Sequence, residues 1–139
     1  MGATALTHVA ITYDPQGNVS IFVNGKRTPP TAAPFRTVGN ASGDLRIGGS
    51  SREAGEGFRG LIDEIRISRG IVYPKDFTRP VKALDADPVA TIALWHFDEG
   101  DGLVTADFGP AELTATMPDT TGNQPKWVQI ACVAELPPP

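Results

Sequence analysis

Apolar and polar positions alternate along this chain in short runs bounded by Gly, Pro and Asn, the pattern of strands joined by turns. Residues 6–13 read as a strand with Val9, Ile11 and Tyr13 on one face and His8, Ala10 and Thr12 on the other. Asp14-Pro15-Gln16-Gly17-Asn18 reads as a hairpin loop, because Pro suits an early turn position and Gly17-Asn18 tolerates positive φ. Residues 19–23 return as a second strand with Val19, Ile21 and Val23 on one face, and Asn24-Gly25 is a tight-turn signal. Residues 28–44 lack periodicity and read as a long surface loop. Residues 45–49 are a third strand, followed by a polar loop over 50–57.

Gly60 to Ser68 is the next predicted strand. Leu61, Asp63, Ile65 and Ile67 share one face, and Ile62, Glu64, Arg66 and Ser68 the other. Asp63 thus falls on the more apolar face, where a carboxylate is costly unless it is paired, hydrogen-bonded or metal-bound. A turn of helix is expected within 71–77. Residues 91–97 are a continuous apolar-aromatic run, the mark of a strand covered on both faces, with Trp95 in the core. The acidic turn 98–102 follows, then short strands over 103–106, 113–117 and 127–133. The chain divides into 5–80, a linker at 81–89, a second strand-rich segment at 90–133 and a tail at 134–139.

Composition narrows the classes. With 139 residues the chain is one domain in length, and 15 Gly with 13 Pro suit strands and turns rather than long helices. A net charge of −4 without a basic stripe argues against a general nucleic-acid binder. Cys132 is the sole cysteine, which excludes an intrachain disulfide. No signal peptide is read at the N-terminus, and no run approaches the roughly 18 apolar residues of a membrane span. His8 and His96 lie in predicted strands with no Cys, Ser or carboxylate at a motif spacing, so both are expected to be partly buried structural residues.

Several motifs resemble one family. Thr7 to Asp14 with Val19 to Lys26 resembles the "HVAVTYD…LYVDGK" hairpin of laminin-G-like domains, members of the concanavalin A-like lectin/glucanase fold. Residues 45–49 resemble the "L-x-I-G-G" strand, and 58–68 the "F-x-G-x-I-D-E-V-R-I" strand. Gly70 to Pro80 is similar to a tail seen in phage tail and fibre examples. Ala93 to Gly102 resembles "YWPFDEGSG", Asp107-Phe108-Gly109 the "D-S-S-G-N-G" that follows it, and Lys126-Trp127-Val128 the "W-V" after that. In the family these last motifs precede the hairpin, whereas here they follow the closing strand. The resemblance implies an all-β, antiparallel two-sheet jelly-roll sandwich. The motif order leaves two alternatives, a truncated chain cut from a tandem array or a circularly permuted domain, and either exposes strand edges to a neighbouring repeat or oligomer partner.

The resemblance also implies chemistry. It points to a Ca²⁺ site built from Asp63, Glu99, Asp107 and the carbonyl near Gly109, since Ca²⁺ takes carboxylates and backbone carbonyls. The alternative for Asp63 is a backbone hydrogen bond or an ion pair with Arg66 or Arg69. Retaining glycosidases need two carboxyls about 5–5.5 Å apart, which the glucanases of this fold supply as E-x-D-x-E on one strand. Here Asp63 and Glu64 face opposite sides and position 65 is Ile, so an enzyme is not expected. Sugar binding by stacking and hydroxyl recognition has Trp127, Tyr73 and Asn40 as candidate contacts. The expectation is a non-catalytic binding or adhesion module recognising glycan or protein, on an extracellular, cell-surface or phage-tail protein. A structural or assembly module of a fibre or virion surface is the alternative, and a glycoside hydrolase a distant third.

Overall fold

The computed structural model of the protein describes residues 6–29, 44–49, 57–117 and 125–128. Every regular element among them is a strand: β1 (Val9–Tyr13), β2 (Val19–Val23), β3 (Lys26–Arg27), β4 (Ile65–Ser68), β5 (Thr91–Trp95), β6 (Val104–Thr105) and β7 (Ala115–Thr116). They form three antiparallel sheets, ordered β1-β2-β3, β4-β5 and β6-β7. The all-β, antiparallel reading holds. The described residues do not complete the two facing sheets of a jelly roll.

The first hairpin forms where the turn chemistry places it. Asp14 Oδ1 accepts from the amides of Gln16 and Asn18, and Oδ2 accepts from Asn18 Nδ2, so one carboxylate closes the loop. The register sets Val9 opposite Val23, Ile11 opposite Ile21 and Tyr13 opposite Val19. These six side chains share one face. That face is open: Ile11 is 69% exposed and Val9 58%. The opposite face carries Phe22, which is fully buried. One phenylalanine, rather than the longer aliphatic row, marks the core side of this hairpin.

What covers Phe22 is the segment 73–79. Phe77 lies 5.6 Å from the Phe22 ring and stacks on Tyr73 at 3.7 Å, while His8 meets both Tyr73 and Phe77 edge-on. The Phe77 amide donates to Gly25 O at 2.9 Å. Asp76 Oδ1 accepts from the Arg27 amide, and its Oδ2 pairs with Lys26 Nζ at 3.3 Å. Arg79 Nη1 donates to Leu6 O. Gly25 is required at this docking: it sits at φ +81°, and a Cβ there would lie 2.0 Å from Phe77 O. The expected turn of helix over 71–77 does not form. The amide of Phe77 and the carboxylate of Asp76 bond across to the hairpin instead.

Strand β4 is shorter than the nine residues read from Gly60 to Ser68. Its ladder to β5 runs from Ile65↔Trp95 to Ser68↔Thr91, with a register shift between Ile67 and Ser68. Beyond Trp95 the chain turns away, because Phe97 adopts φ +56°. Residues 61–64 therefore lack a ladder partner and are not strand. Asp63 is exposed in irregular backbone, so the buried-face argument for it does not apply. Residues 45–49 likewise form no strand, only a bridge between Gly49 and Gly57.

Strand β5 is the centre of the second packing region, with Ala93 fully buried, Leu94 1% and Trp95 2% exposed. One edge pairs with β4. The other is covered by residues 107–113: the Phe108 amide donates to Leu94 O, the Ala111 amide to Ile92 O and Trp95 Nε1 to Leu113 O. Ala93 and Trp95 on one face and Leu94 on the other are all buried, which is the coverage of both faces that the unbroken apolar run predicts. Strands β6 and β7 fall inside the expected 103–106 and 113–117, and Val128 is not in a strand. The rest of the strand expected over 127–133, most of the loop expected over 28–44, Cys132 and the tail lie outside the described residues.

Candidate functional site

The β4–β5 ladder brings the chemistry-bearing residues of the two segments together. One step past the Ile65↔Trp95 pair, Glu64 and His96 meet, with His96 Nδ1 bonded to Glu64 Oε1. Both are partly buried. The same Glu64 oxygen accepts from the Leu84 amide at 2.8 Å, which holds the residue 81–89 segment against β4. Phe108 packs over the imidazole at 4.8 Å between centroids. His96 is a partly buried structural residue, as expected, but it does have a carboxylate partner. That partner lies across the ladder, where local motif spacing could not find it.

Asp63 borders this pair. Partial desolvation pushes its carboxyl above the usual range, and the charges of Glu64 and Asp98 push the same way against the opposing influence of His96. Neither of the expected partners, a backbone amide or an arginine, bonds Asp63 among the described residues.

Glu99 and Asp107 do different work. Burial acts to raise the Glu99 pKa, but the Ala106 amide and Thr105 hydroxyl overcome it and hold the carboxyl low. Both of those groups donate to Glu99 Oε1 at 2.8 Å, closing the acidic turn. Burial likewise opposes ionisation of Asp107, and the amides of Leu94, Leu113 and Gly109 outweigh it. Oδ1 takes the Leu94 amide at 2.8 Å and the Gly109 amide at 2.7 Å, and Oδ2 takes the Leu113 amide at 2.7 Å. Asp107 thus stands in for a strand carbonyl along the free edge of β5. Gly109 is buried against β5, and a Cβ there would lie 2.7 Å from Ala93 Cα and 2.8 Å from Ile92 O. Its role is close approach of the chain to β5.

Tested against Ca²⁺, this donor set does not fit. Among the described residues no three acids, histidines or cysteines gather around one point. Asp107 gives its oxygens to amides of β5 and of its own loop, Glu99 gives Oε1 to the Ala106 amide, and Asp63 feels Glu64 and Asp98 only through their charge.

The sugar-contact candidates are also engaged. Trp127 Nε1 donates to Gly102 O at 2.8 Å, pinning the indole to the turn before β6. Tyr73 gives one ring face to Phe77, and its hydroxyl accepts from Arg66 Nη2. Asn40 lies outside the described residues. Tyr73 does line a groove of about 640 Å³ between β4 and residues 79–88. Arg66 and Arg79 line it as well, and the sequence reading had not singled them out as a pair. Their convergence depends on the docked 73–79 segment.

Residues 2–76, more than half of the chain, match a laminin-G-like family model described as the concanavalin A-like lectin/glucanases superfamily. The segment 90–133 lies outside the matched span. No curated protein and no solved structure matches the chain.

Proposed function

The chain belongs to the concanavalin A-like lectin/glucanase superfamily, and from that premise we propose that it is a non-catalytic binding module whose ligand is a protein. The observation that carries this reading is the open face of the first hairpin. Val9, Ile11, Tyr13 and Val23 are exposed on it beside Val19 and Ile21, and none of the six carries a charge. An uncharged, contiguous aliphatic and aromatic face is what a protein partner covers at low desolvation cost. The complementary surface on such a partner is apolar.

Two further observations favour protein over sugar and binding over catalysis. The aromatic rings suited to stacking on a pyranose are held by Phe77 and by the Gly102 turn. Of the carboxyls near β4 and β5, Glu64 is bound to His96 and Leu84, and Glu99 and Asp107 are bound to backbone amides. These three are thus engaged in holding the fold rather than presented as the acid and nucleophile of a retaining glycosidase.

The test is a microarray carrying purified surface and matrix proteins beside glycans, probed with the wild type, Ile11→Asp and Trp127→Ala. The expected result is signal on protein spots that Ile11→Asp removes. Signal confined to glycan spots and lost with Trp127→Ala would overturn the protein reading.

A further inference from the structure

The groove between β4 and residues 79–88 carries an independent observation. Arg66 projects from β4 and makes two long hydrogen bonds to uncharged acceptors, to Asp85 O at 3.3 Å and to Tyr73 Oη at 3.4 Å. Charge-assisted bonds to a carboxylate are about 2.7–2.9 Å. Arg79 bonds another carbonyl, Leu6 O. Neither arginine forms an ion pair among the described residues, where the pairs are Lys26 with Asp76 and His96 with Glu64. Lys82 lines the same groove.

The acids that face this groove form no ion pair with it, although the charge of Arg66 helps hold the Asp87 carboxyl low. Asp87 Oδ1 accepts the amides of Val89 and Ala90 in its own turn. Asp85 gives Arg66 its carbonyl rather than its carboxylate. The positive field is felt behind the groove: burial lowers the proton affinity of His8, and Arg66 and Arg79 lower it further against Glu64. His8 Nδ1 is buried without a hydrogen-bond partner.

We propose that this groove binds an acidic peptide segment of a partner protein, a carboxylate replacing Asp85 O and Tyr73 Oη on the Arg66 guanidinium. The walls favour a peptide over an acidic sugar. Pro80, Val81 and Pro88 offer aliphatic surface, which suits the side chains flanking an aspartate or glutamate. The one aromatic in the groove has a ring face covered by Phe77. This inference rests on the reading of the chain as a protein-binding module, but on a surface separate from the hairpin face.

The experiment is fluorescence anisotropy with a labelled peptide of alternating glutamate and proline. A glutamine–proline peptide and an oligogalacturonate serve as competing probes. The glutamate peptide is expected to bind saturably and more weakly as salt is raised. Arg66→Gln is expected to weaken it roughly tenfold or more. Lys82→Gln, an exposed position, is expected to weaken it roughly threefold while circular dichroism stays unchanged. If Arg66→Gln fails to fold, Lys82→Gln decides. Equal binding of the glutamine peptide, no saturable binding of the glutamate peptide, or binding of the oligogalacturonate in its place would overturn the proposal. Ile11→Asp should leave peptide binding intact, so loss of the hairpin contact and loss of the groove are separate results.

Discussion

His96 and Glu64 are 32 residues apart in the chain and share a hydrogen bond at the open end of the β4–β5 ladder. The contact joins the closing strand of the first segment to the opening strand of the second, and through Leu84 it also fastens the segment between them. Removing the imidazole leaves a partly buried carboxylate with a single amide donor. His96→Ala should cost about 1–3 kcal/mol in denaturant unfolding. A double-mutant cycle with Glu64→Gln should show coupling of about 0.5–3 kcal/mol. Additive effects in that cycle would mean the pair contributes nothing jointly.

Asp107 replaces a strand along the free edge of β5, and its pKa is held down by three amides against burial. A carboxyl whose folded pKa lies below its unfolded value stabilises the fold fully above the unfolded value. That contribution is lost as pH falls through the folded pKa. Stability should therefore drop with acidification from about pH 4 downward. Asp107→Asn should lower stability at neutral pH and flatten that acid limb, as read from melting temperature against pH. An unchanged acid limb would remove Asp107 from the account.

Gly25 lies under the docked 73–79 segment with its Cβ direction occupied by Phe77 O. Gly25→Ala adds an atom where there is no room, at a positive φ that alanine disfavours. The segment should lift from the hairpin and expose Phe22, with a loss of roughly 2 kcal/mol or more in thermal unfolding. Gly70 has a similar φ, +76°, but open space around it, so Gly70→Ala carries only the backbone penalty and is the control.

Asp63 has the opposite sign from Asp107. Its pKa is raised by desolvation and by Glu64 and Asp98, so its charge opposes folding once pH exceeds the unfolded value. Asp63→Asn should raise the melting temperature at neutral pH, with the gain shrinking as pH falls and the carboxyls protonate. Calcium and chelator should leave the melting temperature of the wild type unchanged, because the four expected ligands do not converge. A calcium-induced rise that Asp107→Asn abolishes would reverse that conclusion.

Much of the fold was legible because it is local. The 9–13 and 19–23 strands, the Asp14 loop, the Asn24-Gly25 turn and the doubly covered 91–95 run follow from alternation and turn chemistry, which act over a few residues. The overreach came where one segment's pattern was extended without its partner. Residues 61–64 alternate correctly, yet they are not strand, because β5 ends at Trp95 and Phe97 turns the chain away. The site was less legible for the same reason. Asp107 and Glu99 were found as acids in turns, but whether they meet a cation or a backbone amide depends on the path of the loops around them.

The residues alone settled that this is an all-β chain, because alternation and turn residues are properties of contiguous sequence, and the hairpin and strand motifs carried the laminin-G-like resemblance. They did not settle which face of the first hairpin is core. The aliphatic row of Val9, Ile11 and Val23 is the more hydrophobic by composition, yet Phe22 is the buried residue, since the 73–79 segment docks on its side. Burial, the Glu64–His96 contact and the Arg66 groove depend on which distant segments come into contact. Contacts at separations from 7 to 73 residues leave no trace in a period of two.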